Sequence, residues 1–98
     1  MRYSFESKLF EWQGKATWFF ATLPEIESDE IRQTVTGLTN GFGSVRVDVT
    51  IGASKWRTSI FPDTKQGVYM LPIKAEVRKA NALTTGSTVR AAIELVDF

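Results

Sequence analysis

Six strands and two short helices, a mainly β fold, follow from three features of this sequence. Residues 45–51, VRVDVTI, alternate apolar and polar side chains without a break, and residues 89–95, VRAAIEL, follow the same alternation with Ala92 alone out of step. A period of two marks a strand with one buried face. Turn-forming residues fall between such runs at Gln13-Gly14, Asn40-Gly41-Phe42-Gly43, Gly52-Ala53-Ser54-Lys55, Pro62 and Gly67. Only residues 28–36 and 74–83 carry apolar side chains at helical spacing.

Residues 3–12 begin as a strand, with Tyr3, Phe5 and Leu9 set against Glu6 and Lys8. Phe10 and Trp12 fall on the other parity, which requires either a bulge or cover on both faces of that end. Gln13-Gly14 is placed at a hairpin turn, because glycine accepts positive φ without a Cβ clash. The second strand runs from Lys15 through TWFFATL to Leu23, bulky on both parities and therefore expected to be buried on both sides. Pro24 stops it. Ser28 is a candidate N-cap, and Asp29 and Glu30 suit the positive end of a helix dipole. Ile31 and Val35 form a narrow apolar stripe, and Gly37 is a natural C′ residue. Such a helix is a lid on a barrel or sheet.

Residues 45–51 and 56–61 are expected to pair through a turn centred on Ala53-Ser54. That register sets Ile51 against Trp56, Val49 against Thr58 and Val47 against Ile60 on an apolar face. On the polar face it sets Thr50 against Arg57, Asp48 against Ser59 and Arg46 against Phe61, leaving Arg57 diagonal to Asp48. Pro62 is read as the end of this strand, residues 63–67 as a turn, and residues 68–73 as a further strand with Pro72 at its edge or end. Residues 74–83 read as a helix with Ile73, Val77 and Ala80 inward, and Glu76 with Lys79 or Arg78 outward. Gly86 introduces the last strand.

The densest mix of aromatic, basic and hydroxyl groups lies in residues 56–78. It supplies most of a candidate ligand-binding set: Arg46, Trp56, Arg57, Ser59, Lys74 and Arg78. Two guanidiniums, Arg46 and Arg57, can present bidentate donors to a carboxylate or phosphate. Against this stands a plain cross-strand ion pair with Asp48, worth about 0.2–1 kcal/mol. Trp56 shares the valine face and reads as a core plug or pocket wall. Lys74 and Arg78, four apart, share one side of their helix and complete a basic rim if that helix caps the same end as Arg57.

Ninety-eight residues make one domain, residues 1–98, with a single core. The chain has no histidine and no cysteine. Disulfides, haem, zinc and copper sites of the usual kind, and Ser-His or Cys-His nucleophiles, are therefore excluded. No cofactor, metal site or catalytic residue is assigned. A Ser59–Lys74 dyad is conceivable, since a desolvated lysine can act as a base, but nothing local marks out either residue. Gly41 and Gly43 begin a G-x-G pattern that lacks its third glycine and precedes a strand, so the dinucleotide-binding reading fails on context. Residues 1–40 carry 4 Lys/Arg against 6 Asp/Glu, and residues 41–98 carry 8 against 5. The second part thus leans mildly towards an anionic partner, while the sequence pI of 8.0 falls short of the value above about 9 usual in a dedicated duplex binder. Glu6 and Lys8 interrupt the start of the chain where a signal peptide would be apolar, and the most apolar window, residues 16–23, is shorter than the ~20 residues a membrane helix needs. A cytoplasmic protein without a membrane partner is expected.

Four stretches, GFGSVRV (41–47), WRTSIFP (56–62), YMLPIK (69–74) with Val77-Arg78-Lys79, and Gly86-Ser87-Thr88-Val89, together resemble a small prokaryotic family catalogued as a domain of unknown function. Its members stand alone or are fused to a YdeI/OmpD-associated (bacteriocin-protection) domain. The likeness covers most of the chain. It implies a six-stranded double-split β-barrel capped by helices, the architecture that AbrB/MazE-type regulators and antitoxins share as dimers. LTTGSTV, residues 83–89, is similar to the L-x-x-G-D-x-V turn of such barrels, with Ser87 at a position that is often acidic. Fold alone carries no activity.

Three functions follow as expectations. The first is a non-enzymatic binding module for a small anionic ligand or an acidic peptide, held by the six residues named above. The second is a nucleic-acid-binding, antitoxin-like or regulator-like barrel, which needs a contiguous basic face and a dimer. The third is an enzyme using lysine or carboxylate chemistry, which needs a closed cleft. Monomer and homodimer are both compatible with the sequence.

Overall fold

Strand periodicity carries through to three dimensions. The computed structural model describes residues 1–14, 16–36, 43–96 and 98. Its elements are β1 (Arg2–Gln13), β2 (Thr17–Thr22), α1 (Glu25–Thr36), β3 (Val45–Ile51), β4 (Ser54–Asp63), β5 (Val68–Pro72), α2 (Ala75–Ala80) and β6 (Thr88–Leu95). Among the described residues the strands close into one barrel in the order β1-β2-β5-β4-β3-β6, and every neighbouring pair is antiparallel. This is the mainly β, six-stranded barrel with two helices that the sequence predicts.

The interior is filled by the alternating side chains. Val45, Val47, Val49 and Ile51 of β3 meet Val89, Ala91, Ile93 and Leu95 of β6 and Ile60 of β4. Leu23, Ile31 and Val35 close one opening, and Ile73 and Val77 enter at the α2 side. Burial of each such aliphatic side chain contributes about 1.5–3 kcal/mol.

The β3–β4 pairing keeps the expected faces but moves the register by two residues. Ile51 lies opposite Ser54, Val49 opposite Trp56, Asp48 opposite Arg57 and Arg46 opposite Ser59. The turn is the two-residue Gly52-Ala53, not one centred on Ala53-Ser54. Gly52 has φ +57°, the glycine-favouring conformation that a two-residue hairpin uses at its first central position. A Cβ there would fall 2.4 Å from Asn81 Oδ1. Asn81 Nδ2 in turn donates to Ser54 Oγ (3.1 Å) and to the Val77 carbonyl (2.9 Å), pinning the turn to α2.

Other expectations are corrected. Pro62 does not end β4, because the strand runs to Asp63 with Pro62 opposite Tyr69. The Tyr69 carbonyl accepts from Leu23 N–H (2.9 Å) and its N–H donates to Ser28 Oγ (3.1 Å). Tyr69 thus turns both main-chain groups away from β4, and a proline without an N–H costs the ladder nothing opposite it. Ser28 is not an N-cap. The helix starts at Glu25, and Ser28 is fully buried within it, bridging the Tyr69 N–H and the Leu23 carbonyl (3.4 Å). Phe10 and Trp12 need no bulge, since the β1–β2 ladder is unbroken from Leu9 to Gln13. Phe10 is covered from outside by Phe20 at a ring separation of 5.9 Å, whereas Trp12 is exposed. Gln13 is the last paired residue of β1, opposite Thr17, so the hairpin turn lies beyond it. The first part of β2 is likewise not buried on both sides: Trp18 is 47% exposed, and burial sets in at Phe20. In α2 it is Val77 that is buried, while Ala80 is exposed. The readings of Lys15 as a strand start, Gly37 as a C′ residue and residues 40–42 as a loop lie outside the described residues.

Candidate functional site

β5 spans only Val68–Pro72. It pairs with β2 from Met70 to Pro72 and with β4 from Val68 to Met70. After Pro72 the chain leaves the sheet: Ile73 N–H still donates to the Phe19 carbonyl (2.8 Å), and Lys74, at φ −70° and ψ 160°, is the cap of α2. β2 and β4 therefore continue past the end of β5 on either side, one strand's width apart. Two strands that flank a third are separated by about 10 Å.

That gap is a cavity of about 640 Å³. β2 contributes Thr17, Trp18 and Phe19, β4 contributes Trp56, Arg57, Thr58 and Phe61, the β5–α2 connection contributes Ile73 and Lys74, and α2 contributes Ala75 and Arg78. The ladder fixes which main-chain groups look into it. Because Pro62 turns its groups away from β5, strict alternation turns those of Arg57 towards the β5 side, where β5 has ended.

Of the six residues the sequence singles out, Trp56, Arg57, Lys74 and Arg78 line this cavity, while Arg46 and Ser59 do not. Those two lie opposite each other on the outer face of β3 and β4. Trp56 is half-buried and packs against the core as a wall. Arg57 spans two environments. Its Nε and one terminal nitrogen donate to the two oxygens of Asp48 at 2.8 and 3.1 Å, in the open, while the residue also borders the cavity. The anion between Arg46 and Arg57 is therefore Asp48 itself. Its hydrogen bond to Arg57, assisted by the charges of Arg57 and Arg46, holds its carboxyl below the ordinary 3.8.

Arg78 is held firmly. One terminal nitrogen donates to the Ile73 carbonyl (2.7 Å), and the guanidinium carbon lies 3.8 Å from the centre of the Phe19 ring, a cation–π arrangement. Lys74 is exposed; its carbonyl accepts from the Val77 and Arg78 amides (both 3.1 Å), and its side chain forms no hydrogen bond or ion pair among the described residues. No carboxylate is found among the described lining residues, so Lys74 and Arg78 face the cavity without an acidic neighbour in its wall. Ser59 stands outside the cavity that Lys74 borders, which separates the dyad considered above.

Sequence reasoning missed Trp18, Phe19 and Phe61. Trp18 stacks on Phe20, 5.9 Å between ring centres and 8° between planes, and with Phe61 (41% exposed) it leaves a large apolar face at the rim. The signal for β2 was present in TWFF, where bulk on both parities left one set of aromatics with no core to enter.

A model of the family DUF1905, a domain of unknown function, matches residues 5–93. The chain belongs to the DUF1905 family. Among curated proteins none matches it. Within this DUF1905 barrel no group of three or more metal-ligating side chains converges among the described residues, and no described helix is long and apolar enough to cross a membrane. What the site offers is cation donors and aromatic walls around a space that falls within the 300–1,000 Å³ typical of small-ligand pockets.

Proposed function

We propose that this chain is a non-enzymatic binding module that takes a small anionic ligand in the gap between β2 and β4. The observation that supports it is the pairing of Lys74 and Arg78 in a cavity wall without a described carboxylate. Arg78 needs no reordering to meet an anion, because Ile73 and Phe19 already fix it, and preorganisation lowers the entropic cost of binding. Arg57 contributes less charge than its position suggests, since Asp48 shares it. A nucleic-acid role is the weaker reading. Arg32, Arg57 and Arg90 each sit against an acidic partner, Asp29, Asp48 and Glu6, which works against a continuous basic face. A cytoplasmic setting accords with the lack of cysteine.

Thermal shift with a panel of small carboxylates and phosphates tests the reading. Ligand at about 100 times its Kd stabilises the folded state by about 2.7 kcal/mol, which for a domain of this size raises Tm by roughly 10 °C. The rise should vanish in Lys74→Glu at unchanged far-UV circular dichroism. No shift with any anion would overturn the proposal, and a shift only with oligonucleotides, steeply dependent on salt, would favour the nucleic-acid reading.

A further inference from the structure

Resting on that reading, we infer that the ligand is a planar aromatic anion, its acid group at Lys74 and Arg78 and its ring against Trp18, Trp56 and Phe61. Three observations lead there. First, the polar and apolar parts of the wall are segregated. The cations Lys74 and Arg78 come from the α2 cap and α2 at one side of the gap, and the large aromatic surfaces come from β2 and β4. A ligand that satisfies both must be charged at one end and apolar at the other.

Second, the exposed aromatics are spread across the opening. Trp18 on β2 and Phe61 on β4 are 47% and 41% exposed, on strands that β5 holds one strand's width to either side. A flat ring entering between two strands about 10 Å apart can cover aromatic surface on both, whereas a compact aliphatic acid or a free phosphate leaves it in water. Aromatic pairs also gain from offset or edge-to-face geometry beyond the area they bury.

Third, the wall already stacks a flat group on an aromatic face. The Arg78 guanidinium carbon lies over the Phe19 ring, 3.8 Å from its centre, so its position is set by that ring while its charge remains at the cavity edge. The hydroxyls of Thr17 and Thr58 in the same wall can donate or accept towards substituents on the ring. A carboxylate or a phosphate would serve equally as the anionic end, and the two sources are separated by experiment.

Isothermal titration of the full chain decides the matter with four probes: 2-naphthoate, adenosine 5′-monophosphate, cyclohexanecarboxylate and the neutral 2-naphthalenemethanol. At least one aromatic anion should bind tenfold or more tighter than both cyclohexanecarboxylate and the neutral alcohol, the order expected from aromatic contact and charge together. Naphthoate ahead of the nucleotide assigns a carboxylate ligand, and the reverse order assigns a phosphate. Trp18→Ala should lower naphthoate affinity several-fold more than cyclohexanecarboxylate affinity, at unchanged far-UV circular dichroism. Equal binding of cyclohexanecarboxylate and naphthoate would overturn the aromatic inference and leave the anion-binding reading standing. Failure of every anion to bind would remove both.

Discussion

Two ladders of the barrel are long: residues 2–8 of β1 run on β6, and Val45 to Ile51 of β3 run on β4, with four pairs from Val47 to Thr50 joining β3 to β6. β5, by contrast, meets each of its neighbours over only three residues, 70–72 against β2 and 68–70 against β4. On the long-laddered side, charges on the outer face are matched in place. Glu6 is opposite Arg90, with Arg90 Nε donating at 3.0 Å, and Asp48 is opposite Arg57. On the short-laddered side the wall opens, and Lys74 and Arg78 border the gap without such a partner there. Stability and the proposed function are thus separated around the circumference. The sealed half holds the barrel closed, and the half with the short strand leaves exposed the aromatic surface and cations that a binding site needs.

Mutations can break this contrast in order of size. Ile60→Ala, at a fully buried site facing Val45 and the β3 ladder, should cost about 2–5 kcal/mol in urea unfolding, whereas Trp18→Ala on the open side should cost under about 1 kcal/mol. A reversed order would mean that the gap, and not the long ladders, carries the fold. Ser28→Ala removes the acceptor of the buried Tyr69 N–H and should cost about 1–3 kcal/mol. If the loss is near zero, water has replaced the hydroxyl and the junction of α1 with β5 is looser than its geometry implies. Ala82→Gly should stabilise by about 1 kcal/mol or less. Ala82 has φ +52°, and the bonds from Leu83 N–H to the Arg78 carbonyl (2.8 Å) and from Ala82 N–H to the Lys79 carbonyl (3.4 Å) form a Schellman end at which glycine is the unstrained residue. The gain is partly offset by the freer unfolded chain.

The smallest effect is electrostatic. Asp48 has a folded-state pKa below its ordinary 3.8, chiefly through its bond to Arg57. The pair therefore stabilises the fold above the unfolded pKa, and that contribution is lost as pH falls through the lower folded value. Both groups are exposed, so the size is small. Asp48→Asn should be slightly less stable than wild type at neutral pH, with the difference shrinking in acid. A difference that grows in acid would contradict the assignment.

Legibility varied by the range of the forces involved. The inward set of β3 and β4 could be read because valine and isoleucine alternate, and a two-residue slip preserves that alternation, which is why the faces were right while the register was not. Gly52 decided the register through its φ and its closeness to Asn81, a contact from a distant helix that no local pattern reports. Ser28 obeyed the local rule for a cap, yet it lies in the interior, where its hydroxyl accepts from the Tyr69 N–H. Trp56, Arg57, Lys74 and Arg78 come together within one stretch of chain, so their grouping was accessible to sequence reasoning. Trp18 and Phe19 join them only because the strand order places β2 beside β5, a fact of topology. Arg46 and Ser59 failed to join because Asp48 and the outer face hold that end of the pairing.

Amide chemical-shift mapping with 2-naphthoate tests most directly whether the short-strand side is the binding side. Perturbations should concentrate on residues 17–19, 56–58 and 74–78 and saturate with one equivalent. Shifts gathered instead on β6 and the outer face of β3, or scattered without saturation, would contradict it.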